Sequence, residues 1–283
     1  MKVKEQQLHE HGFVRFIDIM GDDNSIADAA RVSYGEGTRS VSDNRNLIRY
    51  LVRHKHTSPL EMVEVKFHLK LPIFVMRQLV RHRTASLNEY SGRYSIMSSD
   101  CYEPSDDYLK PQSQSNKQGR EGELPGTWKK SYKQKIYEAI NKANVAYKFL
   151  IGNESVSHGG LSRELARTVL PVSNYTECYW KIDLHNFFHF CRLRMDSHAQ
   201  QEIQDYAKCM YEMVKPEVPI ASEAFEDYML YNTTLSRMES DVLKYSLRCF
   251  PDLKHFIMSL KDSEDIQFDM SRREWKELEE KIK

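Results

Sequence analysis

Val63-Glu64-Val65-Lys66-Phe67-His68-Leu69-Lys70-Leu71-Pro72-Ile73-Phe74-Val75-Met76-Arg77-Gln78-Leu79-Val80-Arg81-His82-Arg83 changes its hydrophobic period part-way along. Val63, Val65, Phe67, Leu69 and Leu71 alternate with Glu64, Lys66, His68 and Lys70, the two-residue period of a strand with one buried face. Pro72 ends that strand and can open a helix as its first residue. From Pro72 to about Arg83 the spacing turns helical: Ile73, Met76, Leu79 and Val80 share a stripe, Arg77 and Arg81 lie one turn apart, and Gln78 comes close to His82. Polar groups at the end of this stretch therefore grow from a rigid element.

Working outward, Asn24 to Tyr34 reads as a short helix with Asn24 or Ser25 near its cap. Gly35 to Ser40 is loop, and Ser42 caps a second helix carrying Leu47, Ile48, Leu51 and Val52. Thr84 to Ser99, rich in hydroxyls and holding Gly92, reads as an ordered functional loop. Asp100 to Trp128 has little apolar content and reads as a mobile insertion or lid. Helices are expected at Lys129 to Ile151, Ser162 to Val169, Leu184 to Leu193 and His198 to Val214, with strand at Tyr175 to Ile182. The mixture argues for an α+β fold, a mixed or antiparallel sheet flanked by helices, rather than alternating βαβ units. Ser236 to Cys249 and Phe256 to Lys283 read as further amphipathic or charged helices suited to packing.

At 283 residues the chain can bury a substantial core. Lys+Arg and Asp+Glu both total 41, so no global basic field draws it to nucleic acid, and phosphate binding has to be local. The five cysteines form no CxxC pair and their number is odd, the pattern of free thiols in a reducing compartment. Met1 to His11 is polar, and nowhere do roughly eighteen apolar residues run together, so a cytoplasmic protein without a membrane segment is expected.

The segment Arg81-His82-Arg83-Thr84-Ala85-Ser86-Leu87-Asn88-Glu89-Tyr90-Ser91-Gly92-Arg93-Tyr94 gathers guanidinium groups that match phosphate oxygens in pairs. Ser, Asn and Glu beside them can read the edge of a base, so a nucleotide suits the chemistry. There is no GxGxxG after a strand and no GxxxxGK[ST], which leaves Rossmann and P-loop phosphate binding unsupported.

This segment resembles the signature of the flavin-dependent thymidylate synthases, RHRxxSxNExSxRY, at every specified position. Phe67 to Gln78, Ala166 to Pro171 and Leu193 to Ile203 also resemble family blocks, so the likeness runs from about Gly12 to Tyr206. It implies a catalytic domain over residues 1–230 with a helical extension at 231–283. It further implies conversion of dUMP to dTMP, with 5,10-methylenetetrahydrofolate as carbon donor, NADPH-reduced FAD as hydride source, and a homotetramer whose active sites gather residues from several subunits.

Carried over residue by residue, the resemblance makes Arg194 catalytic, at the pyrimidine ring. It assigns Gln78, Leu79, Val80, Arg81, Glu89, Tyr90, Ser91, Gly92, Arg93, Arg167 and Arg194 to dUMP. For FAD it points to His56, Ser58, Arg81, His82, Arg83, Glu89, Asp183, Leu184, His185 and His189, with Ser33 a weaker candidate. Many relatives carry Asn-x-Arg where Asp183 to His185 stand, so this chain follows another variant there.

Each residue has a plainer reading. Arg194 alone is equally a helix C-terminal arginine serving the dipole, and single arginines are mostly surface ion-pair residues. His56 could be a histidine satisfied by helix C-terminal carbonyls. His185 and His189, four apart on one helix face, could ligate metal, but no HExxH glutamate or third ligand accompanies them, so no metal is expected. Ser91 has no base-acid series and reads as a hydrogen-bonding residue. Phe187, Phe188 and Phe190 read as core. No cysteine falls in the arginine-rich segments, which disfavours thiolate addition to the ring. Two other readings remain: a flavin and folate enzyme acting on uracil in RNA, and a noncatalytic nucleotide- or RNA-binding module.

Overall fold

The computed structural model describes residues 4–32, 43–114, 117–152, 159–262 and 268–282. Ser33, Ser42 and the expected loop at 35–40 lie outside the described residues. The chain divides into two compact units, Met1–Phe225 and Glu226–Lys283.

The first unit is built on a five-stranded antiparallel sheet in the order β1-β2-β3-β5-β4. Its strands are β1 (Lys4–Leu8), β2 (Gly12–Met20), β3 (Glu64–Pro72), β4 (Ser86–Glu89) and β5 (Tyr175–Asp183). The α+β architecture is as expected, and the sheet is antiparallel throughout. Helices α1 (Asp23–Arg31), α2 (Asn44–Arg53), α3 (Ile73–Leu79), α4 (Gly126–Ile151), α5 (Arg163–Ala166), α6 (Leu184–Arg194), α7 (Gln201–Val214) and α8 (Pro219–Phe225) complete it.

Alternation in β3 does what its sequence requires. Val65, Phe67, Leu69 and Leu71 are buried with Val14 and Phe16 of β2 and Cys178, Trp180 and Ile182 of β5. Phe187, Phe188 and Phe190 of α6 and Ile203, Tyr206 and Met210 of α7 join this core. Phe67 stacks on Phe187 at 5.7 Å and Phe188 on Phe225 at 4.4 Å between ring centroids. On the other face, polar side chains pair across strands: Lys181 with Glu64 at 2.6 Å, and His68 between Arg15 at 2.9 Å and Glu177 at 3.1 Å.

Several expectations need correction. Asp22, not Asn24 or Ser25, caps α1 through a reciprocal box with Ser25, and Asp43 caps α2 by accepting from Asn46 N. Strands β1 and β2 are additions to the sequence reading: β1 reads Lys-Glu-Gln-Gln-Leu with its three central positions exposed, and an irregularity between Phe16 and Asp18 breaks the alternation of β2. Thr84 to Ser99 is not all loop, because β4 pairs with β5 along its edge. A strand reading Ser-Leu-Asn-Glu, exposed at every position, carries no hydrophobic alternation to reveal it.

The segment 100–128 is anchored rather than loose where it is described. Tyr102 and Arg120 both bind Glu202 of α7, the former donating at 2.8 Å and the latter at 2.7 Å. Tyr108 donates to Asp205 at 2.6 Å, and Arg120 also donates to the Tyr108 carbonyl. Its polar composition resembles that of a free loop, yet those groups find buried partners on a helix far away in sequence.

The second unit contains α9 (Arg237–Cys249), α10 (Pro251–Ser259) and α11 (Arg272–Lys281), with Ser236 and Ser271 closing capping boxes on α9 and α11. No described helix is long and apolar enough to cross a membrane.

Burial raises the Glu202 carboxyl, but hydrogen bonds from Arg120 and Tyr102 more than reverse this and hold it below the usual glutamate range. Its contribution to stability is therefore full above the unfolded pKa of about 4.3 and is lost as pH falls through the lower folded value. Glu202→Ala should lower stability by about 3 kcal/mol, because Arg120 and Tyr102 lose a buried partner. Limited proteolysis should then cut within residues 103–121; unchanged cleavage would show that this network does not hold the segment.

Candidate functional site

Two helices leave the β3–β5 pair from opposite ends. Pro72 at the end of β3 opens α3, and Asp183 at the end of β5 caps α6 by accepting from Asn186 N at 2.9 Å. Beyond α3 and at the last turn of α6, His82 and Arg194 meet: Arg194 Nε donates to His82 Nε2 at 3.1 Å. Arg194 Nη2 makes a long 3.5 Å contact to the Gln78 carbonyl, while the Gln78 side chain donates to Gln200 at 2.7 Å. A cavity of about 300 Å³ opens here, lined by Arg81, His82, Arg83, Thr84, Ile182, Asn186, His189, Leu193 and Arg194.

The cavity is strongly cationic. Among the described residues no carboxylate lies within ion-pair distance of Arg81, Arg83 or Arg194. Burial, with Arg194 and His189 nearby, pushes His82 down to about 4, so its imidazole is neutral and Nε2 is free to accept from the guanidinium. His189 is lowered by burial and by Arg192 and His185. Arg194 is lowered by burial and by Arg81, the sign of a charge kept without a counter-ion.

A second cluster gathers the other end of the arginine-rich segment. Gly92 is buried where a Cβ would stand 2.7 Å from Met97 Sδ and 3.1 Å from Arg167 Cδ, so glycine allows the Arg167 side chain to cross there. Arg93 Nε donates to Glu164 at 3.2 Å, Arg163 donates to the Tyr94 carbonyl, and Tyr90 donates to the Ile96 carbonyl at 2.9 Å. Glu89 accepts from Thr176 at 2.8 Å. None of Ser91, Gly92, Arg93 and Arg167 lines the cavity at Arg194.

Other expected residues are placed variously. Exposed His56 and Ser58 follow α2 in a turn and do not line the cavity; the His56 ring lies 5.8 Å from Tyr50. Leu79 and Leu184 are buried in the core, and the Leu184 amide is engaged with the Val63 carbonyl at 2.8 Å, so Leu184 offers a ligand neither its side chain nor its N–H. Val80 is exposed. Phe187, Phe188 and Phe190 are core, as read. Among the described residues no three metal-ligating side chains converge.

Cys101, Cys178, Cys191 and Cys209 are buried, and burial pushes their thiols up, Cys178 and Cys209 to about 12. None lines the cavity. Glu164, Asn186 and Gln200 were not singled out from sequence. Gln200 stood within the Leu193 to Ile203 block and Asn186 three residues after a capping Asp, whereas nothing local marks Glu164 as the partner of Arg93.

Asp183 serves the helix first: its carboxylate accepts from both the amide and the side chain of Asn186. Asp183→Ala should cost about 1 kcal/mol, lower Tm by a few degrees and disorder the first turn that carries His185, while Asp183→Asn should keep most of the cap. Equal melting of both variants and the parent would remove the capping role.

The sequence profile of the Thymidylate synthase complementing protein family matches residues 15–220. The chain is 49% identical over 249 residues to the flavin-dependent thymidylate synthase of Dictyostelium discoideum, covering 85% of this chain and 80% of that one. It is 46% identical over 276 residues to that of Rickettsia conorii, covering 95% and 90%. Among solved structures it resembles the UMP/dUMP methylase PolB of Streptomyces cacaoi, solved with 5-Br UMP, at TM-score 0.69 and 30% identity, covering 78% of this chain and 96% of that one. With a cationic cavity on an α+β scaffold, a family match over residues 15–220 and relatives 46 and 49% identical over most of their length, the chain belongs to the flavin-dependent thymidylate synthase family.

Proposed function

We propose that the chain reductively methylates dUMP to dTMP, taking the carbon from 5,10-methylenetetrahydrofolate and the hydride from FAD reduced by NADPH. The observation that carries this reading is Arg194, a guanidinium with no carboxylate partner among the described residues, facing a cavity in a chain that belongs to the flavin-dependent thymidylate synthase family.

Carbon 5 of uracil is a weak nucleophile until electron density is pushed into the ring. A fixed positive group beside the ring stabilises its N3-deprotonated, electron-rich form, and Arg194 is that group. The route by thiolate addition lacks a nucleophile near this cavity, since the buried thiols of the first unit are held protonated. Arg81, with Gln78 and the backbone at Leu79 and Val80, binds the nucleotide on this side. Ser91, Gly92, Arg93 and Arg167, beside Glu89 and Tyr90, hold it on the other, the arginines chiefly at phosphate.

The residues around the cavity suit FAD: Arg81 and Arg83 are cations with no carboxylate partner among the described residues and match a pyrophosphate, and His82 and His189 are imidazoles able to stack or hydrogen bond. When bound, the flavin supplies hydride transfer, and the protein supplies orientation and electrostatics. A cavity of about 300 Å³ takes a ring or a nucleotide fragment rather than the whole dinucleotide. The separation of the two arginine clusters, and of His56 and Ser58 from the cavity, supports a homotetramer in which neighbouring copies supply the remaining walls.

A second substrate needs a direct control, because PolB, at 30% identity, is a UMP/dUMP methylase. The relatives at 46 and 49% identity are thymidylate synthases, which favours the deoxynucleotide here.

The decisive assay follows dTMP formation with each of FAD, NADPH and methylenetetrahydrofolate omitted in turn and with UMP replacing dUMP. Product is expected only in the complete dUMP mixture; a colourless protein that binds no added FAD would refute the reading. Arg194→Ala should lower turnover by about 100-fold or more while flavin binding stays near that of the parent.

A further inference from the structure

The partner of Arg194 is unusual for a half-buried arginine. Such a group ordinarily pairs with a carboxylate, which fixes its direction and also cancels its charge. Here the atom that fixes it is His82 Nε2, 3.1 Å from Arg194 Nε. The imidazole is itself fixed: its ring packs edge-on against Phe190 at 5.0 Å, itself fully buried, and its backbone amide donates to the Leu79 carbonyl at 3.0 Å. His189 adds a second edge contact at 6.0 Å. The hydrogen bond occupies the Nε–H edge of the guanidinium and, apart from the long Nη2 contact to the Gln78 carbonyl, leaves the terminal nitrogens as the groups available to the cavity.

We propose that His82 is a positioning residue for Arg194: a neutral acceptor, locked by Phe190, that aims the guanidinium into the cavity without compensating its charge. This role is separate from any contact of His82 with flavin. It deepens the proposed function, because an aimed and uncompensated cation is what polarising a pyrimidine requires, and it rests on that reading for its catalytic meaning.

The pattern of substitutions distinguishes aiming from bulk. His82→Ala removes the acceptor, His82→Gln returns a neutral one, and His82→Glu returns an acceptor that cancels the charge. Aiming predicts that dUMP affinity, measured by calorimetry on the FAD-loaded protein, falls about tenfold in His82→Ala and recovers in part in His82→Gln, the size expected for one charge-assisted hydrogen bond. In His82→Glu, dUMP turnover should fall further than in His82→Gln although the hydrogen bond is kept, because the charge is neutralised. In an Arg194→Ala background, His82→Ala should produce no additional loss of dUMP affinity. A loss that multiplies with that of Arg194→Ala would show that His82 acts through another contact and would overturn the proposal.

A readout independent of ligand and activity decides the physical claim alone. In nitrogen-15 spectra of arginine-labelled holoprotein, the Arg194 Nε–H signal, assigned by its loss in Arg194→Lys, should be protected from exchange with water. That protection should vanish in His82→Ala and return in His82→Gln. If the signal is indifferent to position 82, the proposal fails whatever the substrate is. If the signal responds but wild-type protein makes no dTMP, the positioning role stands and the proposed function falls.

Discussion

Pairing of β3 with β5 over the full length of both strands, from Glu64 opposite Asp183 to Pro72 opposite Tyr175, is the constraint on which the rest of the first unit hangs. Because the strands run antiparallel, the helices that follow them start at opposite ends of the pair. Their far ends, carrying Gln78 to Arg83 and Leu193 to Arg194, come together around one cavity. A slip of one residue would turn Phe67 and Trp180 outward and carry Pro72 and Asp183 to new places, so the hydrophobic pattern that buries the sheet also sets the geometry of the site.

That cavity concentrates positive charge with little to offset it. Arginines on adjoining segments face one space, its lining holds no carboxylate among the described residues, and Asp183 at the start of α6 is engaged with Asn186. Neutral imidazole fills the place a carboxylate would take. Such an arrangement is unfavourable for the isolated chain and becomes favourable only when an anion arrives, which is the behaviour of a surface shaped for phosphate and an electron-rich ring.

Much of the fold could be read from residues alone where one physical signal dominates. The period change at Pro72 gave β3 and α3, and helical spacing gave α4, α6 and α7 to within a few residues. Reading failed where pairing or burial overrides local composition. Strand β4 exists because the edge of β5 is there to pair with it, β2 hides behind its own register irregularity, and the stretch around Tyr102, Tyr108 and Arg120 looks unstructured because these three side chains find their partners on α7, far away in sequence. For the site, the Arg-His-Arg run and the Leu-Arg-Met-Asp block were both legible as chemistry, but not which atom of one meets which atom of the other.

The sequence by itself determined the α+β class, the cationic character of Arg81 to Tyr94 and, through an unbroken signature, the family; each is written in residue types at fixed short spacing. Only the tertiary structure decided that Asp183 is spent on a helix cap, that Leu184 is withdrawn into the core, and that His82 accepts a hydrogen bond from Arg194 across 112 positions of chain. The physical reason is range: periodicity and propensity act over a few residues, whereas hydrogen bonds and burial between distant segments exist only after strand register has placed them side by side.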